Sequence, residues 1–531
     1  MPPHSRTVPV TRASMATRHR RHLLSAAAVG VVSVVAAACS GGDGSETTPV
    51  AAAVTAAGEV ADAAALSSRP GEGISTAGGV LRASRPCPAG GGQGTGATAK
   101  IAVVTPDIDR LDEVGLGALV FDSFDRTFDA YINRVNSFGG VGGTCFELDF
   151  YEYGFTDPAA EIGAICAELP QQQPLVMFGF GLNDAIAGCT TIAAQIPTIG
   201  LYSQFPEALF DQADGLLLVD HGSLEFLLEN GLRTATGAGV LDRGDRVGLL
   251  YSDDVSAASL QAAFAQVAAD LALDVTASAD VPADLFGTAV VVIEERFRSL
   301  GGRLFGPDDA AFADAALALP PDMGDLLARL RAHFLGTAEA MRAAGVDTVV
   351  ATASWDAVRN LMRAAEAIGW RPRWVTNDSH ISLVVLSDAP PAQALNLAQV
   401  SSRRAADDPI EGLDRGCLSL RNTGTAAEPF SHRYHTDAWS LMTASCDYLD
   451  VIFGAASRVD GPLTREAFLA ELRRTDYRAA HGQRVRFGAG DSYGSDGFRV
   501  LGADPDCVLN EWGCMRPLTG WFEPATAAGE G

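Results

Sequence analysis

Apolar residues along this chain of 531 come in short unbroken runs separated by amphipathic stretches. The first clear run is Lys100-Ile101-Ala102-Val103-Val104-Thr105, and its lack of alternation is the pattern of a strand buried on both faces of a sheet. Residues 116–137 then place Val120, Phe124, Phe128, Tyr131, Ile132 and Val135 at helical spacing before Gly139-Gly140 stops them. A strand is expected at 146–151. Asp157-Pro158 opens the next helix, with a capping acid ahead of a proline whose missing N–H costs nothing in a first turn. Strands at 174–178 and 197–201 enclose a helix at 183–194, and a longer helix at 222–235 leads to a second series. That series starts at Arg246-Val247-Gly248-Leu249-Leu250-Tyr251 and runs through helix 287–300, strand 302–305, helix 336–344, strand 346–352, helix 356–368 and strand 373–376.

Strand and helix in alternation predict an α/β fold with doubly wound parallel sheets covered by helices on both faces. The chain is too long for one such sheet, so two lobes with a central ligand cleft are the economical arrangement. The expected boundaries are 98–245 for the first part of lobe 1, 246–376 for lobe 2, 377–480 for the second part of lobe 1, and 481–531 for a hinge return and C-terminal tail.

Upstream of residue 98 the pattern changes. Residues 1–38 contain Arg6, Arg12, Arg18, Arg20 and Arg21 and no acid, and they run into an uncharged stretch from Leu23 to Ala38. That is the pattern of a signal peptide, and the stretch is shorter than the about 20 residues that span a bilayer. It ends in Val35-Ala36-Ala37-Ala38-Cys39-Ser40, and small residues ahead of a cysteine resemble a bacterial lipobox. The resemblance implies cleavage before Cys39, diacylation of its sulfur and acylation of the freed amine. Two or more acyl chains hold a protein firmly to the outer face of the cell membrane, where one gives marginal binding. Arg20-Arg21-His22-Leu23-Leu24 also looks like a twin-arginine export signal, and the general secretory route stays open beside it. Residues 39–97 are Ala, Gly, Ser, Thr and Pro-rich without an aromatic residue. They bury too little to offset their ordering entropy and are expected to form a flexible tether.

The formal charge of the whole chain is −26, and loss of the five leader arginines makes it more negative still. So acidic a chain is a poor partner for nucleic acid. The single lysine, Lys100, among abundant Arg and Ala suggests a GC-rich genome. Of nine cysteines, eight remain once Cys39 carries lipid, and an even set in an exported chain points to disulfides. Sequence neighbourhood favours Cys166–Cys189 and Cys507–Cys514, leaving Cys87, Cys145, Cys417 and Cys446.

The run Asn133-Arg134-Val135-Asn136-Ser137-Phe138-Gly139-Gly140-Val141-Gly142-Gly143, the strand after it and Thr156-Asp157-Pro158 resemble the start of the branched-chain amino-acid binding proteins of ABC importers. These are type 1 periplasmic-binding proteins. Agreement continues in Phe178-Gly179-Phe180-Gly181, Gln195-Ile196-Pro197-Thr198-Ile199, Ala344-Gly345-Val346-Asp347-Thr348-Val349-Val350 and Ala367-Ile368-Gly369-Trp370-Arg371-Pro372, in the family's order over most of residues 100–490. The resemblance implies two lobes joined by three crossings that close over a ligand, and a membrane permease that reads the closed shape.

Ligands of open α/β sheets sit beyond the carboxyl ends of strands. The loops there supply Phe180, Gly181, Leu182, Asn183, Tyr202 and Ser203 in the first lobe and Tyr251, Phe286, Trp355 and Asp378 in the second. The segment 180–184 enters a helix, whose N–H groups and dipole can hold a carboxylate, as the family holds that of an amino acid. Here Gly-Leu-Asn-Asp replaces the family's Ser/Thr-rich segment, and Asp184 opposes an anion. Asp378 is a candidate partner for a ligand ammonium or a turn-capping acid. Tyr251 and Trp355 could stack on a ligand or pack their lobe. The family's aromatic-Gly pair after the strand at 246–251 is best matched by Phe286-Gly287. Either 254–283 is then an insertion, or 256–272 is the regular helix and the extra segment is 283–335.

Competing chemistry is sparse. The chain has no phosphate-binding Gly-rich loop with Lys and no His-Glu-x-x-His, and His432-x-x-His435-x-Asp437 lacks a third clustered histidine for a metal. No catalysis, metal or cofactor is expected. The sequence points to a lipid-anchored extracytoplasmic monomer that captures a small polar or amino-acid-like molecule for an ABC permease. A ligand-sensing lobe reporting to a membrane signalling partner is the alternative.

Overall fold

The computed structural model describes residues 74–76, 79–81, 87, 97–107, 124–154, 158–203, 205–253, 256–285, 288–305, 309–378, 389–403, 417, 420, 436–477, 479, 484–488, 492–495, 497–504 and 514–522. The leader, Cys39, Asp157, Gln204, Phe286-Gly287, His432, His435 and Cys507 lie outside them, and with Cys507 the expected Cys507–Cys514 bridge.

The first sheet is wholly parallel. It contains β1 (Thr98–Pro106), β2 (Cys145–Tyr153), β3 (Val176–Phe180), β4 (Thr198–Leu201) and β5 (Leu217–Val219), in the order β2-β1-β3-β4-β5. As the apolar run predicts, β1 is buried from Ile101 to Pro106. Helix α1 (Phe124–Ser137) follows it. The Asn-Ser-Phe-Gly-Gly motif has a local reason. Asn136 donates from Nδ2 to the Phe146 carbonyl at 2.7 Å and accepts from Phe146 N at 2.9 Å, which clips the end of α1 to β2. Gly140 sits at φ +69°, and a Cβ there would lie 1.8 Å from the Thr144 oxygen, so the turn admits only glycine. Helix α2 (Pro158–Gln172) leads to β3, a short α3 (Asp184–Ala187) continues as a wider turn over Gly188–Ala193, and α4 (Glu207–Ala213) lies between β4 and β5.

The second sheet has seven strands. They are β6 (Arg246–Asp253), β7 (Asp274–Pro282), β8 (Thr348–Ala351), β9 (Arg373–Thr376), β10 (Leu397–Ser401), β13 (Arg499–Asp504) and β14 (Cys514–Pro517), in the order β14-β13-β10-β9-β8-β6-β7. Strand β13 pairs antiparallel with both β10 and β14, and all other neighbours pair parallel. A two-strand ribbon, β11 (Asp476–Tyr477) with β12 (Val485–Arg486), stands apart.

Helix α5 (Leu224–Gly237) packs Leu227, Leu228 and Leu232 with Val247 and Leu249 of the second sheet. It therefore belongs with lobe 2, although the expected boundary put it in lobe 1. Strand β10 likewise joins lobe 2, where 377–480 was expected in lobe 1. Within that segment α12 (Thr436–Arg458) and α13 (Arg465–Leu472) do pack on lobe 1, where Tyr448, Ile452, Phe453 and Phe468 share one core with Ile101, Tyr131 and Phe146. The chain thus crosses between lobes at residues 220–223, after Arg403, and near residue 495.

Helix α6 (Ala257–Asp270) joins β6 to its parallel neighbour β7, so it is a regular crossover and not an insertion. The additional chain comes later, as α7 (Thr288–Ser299) and α8 (Asp309–Leu317), ahead of the long α9 (Pro321–Ala343) that enters β8. Residues 302–305 are irregular chain ending in a bend and not the expected strand. Helix α10 (Trp355–Ala367) and the one-turn α11 (Pro391–Ala394) flank β9.

Disulfides join Cys87–Cys145, Cys166–Cys189 and Cys417–Cys446. The second matches the pairing expected from neighbourhood. The first, with the antiparallel pairing of Ile74–Thr76 and Gly79–Leu81, shows that the stretch expected as an unbroken tether attaches to lobe 1 before residue 97. Among the described residues no helix is long and apolar enough to cross a membrane.

Candidate functional site

Loops at the carboxyl ends of the two sheets meet. Trp355, the first residue of α10 after β8, packs against the cores of both lobes, and the Arg359 guanidinium lies 5.0 Å above its ring. From the other side Tyr202, after β4, packs on the lobe 1 core, edge-on to Phe180 at 5.5 Å. Tyr202 takes φ +51°, a conformation that non-glycine residues adopt at a cost and that tends to mark functional sites.

Over the Tyr202 ring, 3.3 Å from its centre, lies the guanidinium of Arg403, which follows β10. Arg403 is buried, and its Nη2 donates to Asp220 Oδ2 at 2.8 Å. Asp220, directly after β5, also accepts from Tyr202 N at 3.3 Å and meets His221 Nδ1. Its backbone oxygen accepts from Ser495 Oγ on the third crossing, and Arg499 Nη2 donates to the Arg403 carbonyl at 3.1 Å. One ion pair therefore ties all three crossings together. Burial works against the Asp220 charge, but His221 and Arg403 outweigh it and hold the carboxyl well below its usual range. Burial likewise works against the charge of Arg403, and Tyr202, Asp220 and Asp378 more than offset it, raising its pKa.

Several candidate residues turn out to be engaged in the scaffold. Ser203 is buried, donates to the Leu201 carbonyl and accepts from Leu182 N at 3.1 Å. Gly181 takes φ +59° and its carbonyl accepts from Tyr153 Oη at 2.7 Å. Leu182 is buried in the lobe 1 core, and Asn183 caps α3 by accepting from Ile186 N at 3.0 Å. Tyr251 is buried in one cluster with Leu260 and Phe264 under α5 and α6, the packing role open to it. Asp378 is fully buried, and its carboxylate accepts from Ser401 Oγ, Gln399 Nε2, and Ser402 N and Oγ, the last two at 2.6 Å. That is the capping role of the two considered for it, and it leaves an ammonium ligand little to bind. Phe286 lies outside the described residues.

Sequence reading missed Asp220, His221 and Arg403, which carry the hinge. An Asp-His pair after a short apolar run was a weak signal for the first two, and no motif marks Arg403. Ser354, in the candidate loop after β8, has its Oγ at the start of α10 buried without a hydrogen-bond partner.

Solved structures share this fold. A fatty acid ABC transporter substrate-binding protein from Thermomonospora curvata aligns at 16% identity and TM-score 0.53, covering 83% of this chain and 96% of its own. A branched chain amino acid ABC transporter from Thermus thermophilus with bound valine aligns at 14% and 0.54, over 82% and 97%. The fold is that of the type 1 periplasmic-binding proteins. A solute binding protein of an ABC transporter from Rhodopseudomonas palustris BisB5, in complex with 3,4-dihydroxy benzoic acid, aligns at 12% and 0.53, over 82% and 99%. No protein-family model and no curated protein sequence matches the chain.

Proposed function

We propose that this chain is an extracytoplasmic solute-binding protein, anchored through lipid on Cys39, that holds a small molecule between its lobes for an ABC importer. The observation that carries the proposal is the meeting of loops from the two sheets' carboxyl ends, where Trp355 packs on both cores, Tyr202 packs on the lobe 1 core and the Asp220–Arg403 pair joins the crossings. Solved relatives in fold bind valine and 3,4-dihydroxy benzoic acid, which widens the ligand classes beyond amino acids. With Asp378 engaged inside lobe 2, an apolar or aromatic body stacked near Trp355 suits this cleft better than an ammonium.

A thermal-shift screen of the full chain against amino acids, amides, short-chain and aromatic acids and polyamines tests this. A ligand at 100 times its Kd adds about 2.7 kcal/mol of stability, and Trp355→Ala should weaken the response to that compound while the variant stays folded. If no compound in such a library raises the melting temperature, the transport reading fails.

A further inference from the structure

Val290, Glu294 and Phe297 of the additional helix α7 recur at spacings of four and three and so share one face. All three are buried. Val290 and Phe297 pack in the lobe 2 core, and Phe297 lies edge-on to Phe312 of α8 at 5.2 Å. A carboxylate on such a face has to be matched, because an unpaired charge away from water is strongly destabilising. Helix α10 supplies the match. Arg359 Nη2 donates to Glu294 Oε2 at 2.9 Å, Arg363 Nη1 donates to the same oxygen at 3.4 Å, and Asn360 Nδ2 donates to Oε1 at 2.5 Å.

Arg359 has a second contact. It stands one turn after Trp355, and helical side chains lean towards the start of their helix, so its guanidinium lies over the indole, 5.0 Å from the ring centre. The side chains of Arg359 and Glu294 are each only 3% exposed. One buried guanidinium therefore touches both a carboxylate carried by α7 and the ring of Trp355, which packs on the cores of both lobes. Stability does not account for the pair, since well-packed apolar residues in place of a buried ion pair are often as stable or more so. What the pair adds is direction: Glu294 holds the guanidinium at one place over the indole, and attraction between cation and ring holds the ring beneath it. We propose that Glu294 is a positioning residue that, through Arg359, sets the ring of Trp355 where the lobes meet. The additional chain of lobe 2 thereby tunes ligand affinity, a consequence that rests on the reading of Trp355 as a ligand contact given above.

Fluorine NMR of the full chain with its six tryptophans replaced by fluorotryptophan tests the proposal, with Trp→Phe variants assigning the lines of Trp355, Trp370 and Trp374. Without any added compound, Glu294→Gln and Arg359→Met should each displace or broaden the Trp355 line, while those of Trp370 and Trp374, buried in the lobe 2 core, stay in place. Glu294→Asp, which keeps the carboxylate, should return the Trp355 line towards its original position. The double variant Glu294→Met/Arg359→Met leaves neither charge of the pair behind and gives the same reading if Glu294→Gln folds poorly. Valine and 3,4-dihydroxy benzoic acid then serve as ligand probes. A compound that moves the Trp355 line of the unaltered chain should need about tenfold higher concentration to do so in Glu294→Gln. If neither compound moves that line, the ligand reading of Trp355 loses support, and the spectra without compound still decide the positioning. A Trp355 line unchanged in Glu294→Gln and Arg359→Met, or one that moves only together with those of Trp370 and Trp374, would overturn the proposal.

Discussion

Replacing Asp220 by Ala should lower the stability of the chain by about 3–5 kcal/mol, the cost of leaving a buried cation without its counter-charge. Arg403 is buried over Tyr202, and Asp220 is the carboxylate within hydrogen-bond reach of its Nη2. The loss reaches beyond one pair, because Asp220 also receives Tyr202 N at 3.3 Å and so holds a left-handed residue whose ring lies under Arg403. Urea denaturation gives the magnitude. Joint replacement of Asp220 and Arg403 by Leu should cost less than Asp220→Ala alone, since two apolar groups strand no charge. The pH dependence has a fixed sign. Asp220 is depressed in the folded state, so its contribution is present above the ordinary carboxyl value of 3.8 and is lost as pH falls below it. Asp220→Asn should remove that acid-side decline. A loss in Asp220→Ala below about 1 kcal/mol would place Arg403 in water instead of the hinge.

Phe453→Ala should cost about 3–5 kcal/mol by opening a cavity in the core of lobe 1. Phe453 is fully buried and lies edge-on to Tyr131 at 5.4 Å and to Phe146 at 4.9 Å, geometry that adds to the area buried. Tyr131 and Phe146 come from the first passage of the chain through the lobe and Phe453 from its return, and Tyr131 Oη also donates to Asp450 on α12. The same variant therefore measures how far lobe 1 depends on a segment about 300 residues downstream. A cost below about 1 kcal/mol would remove α12 from the lobe 1 core.

The α/β alternation was legible because central parallel strands are buried on both faces and read as unbroken apolar runs. Strand 373–376 appears as expected. Strand β7 was missed for the same physical reason in reverse. It is an edge strand, largely exposed, and its Asp-Val-Thr-Ala-Ser-Ala-Asp-Val-Pro has no apolar run. Residues 302–305 looked like a strand, but the Gly301-Gly302 turn packs them back on α7. Lobe boundaries were misplaced because α5 is amphipathic wherever it packs, and periodicity reports that a face is buried without reporting against what. Topology alone names the loops after the strands, but not which of their side chains are engaged within their own lobe. Ser203, Asn183 and Asp378 carry the polar groups a ligand would want, and each gives them to its own lobe. Asp220 and Arg403 are 183 residues apart, and no local pattern connects them.

A ligand held between the lobes should draw them together. Solution X-ray scattering of the full chain, with and without the compound that raises its melting temperature, tests that most directly. The radius of gyration should fall on saturation at one ligand per chain, and the fall should be lost in Trp355→Ala at the same concentration. A ligand that binds with the scattering curve unchanged would contradict closure between the lobes.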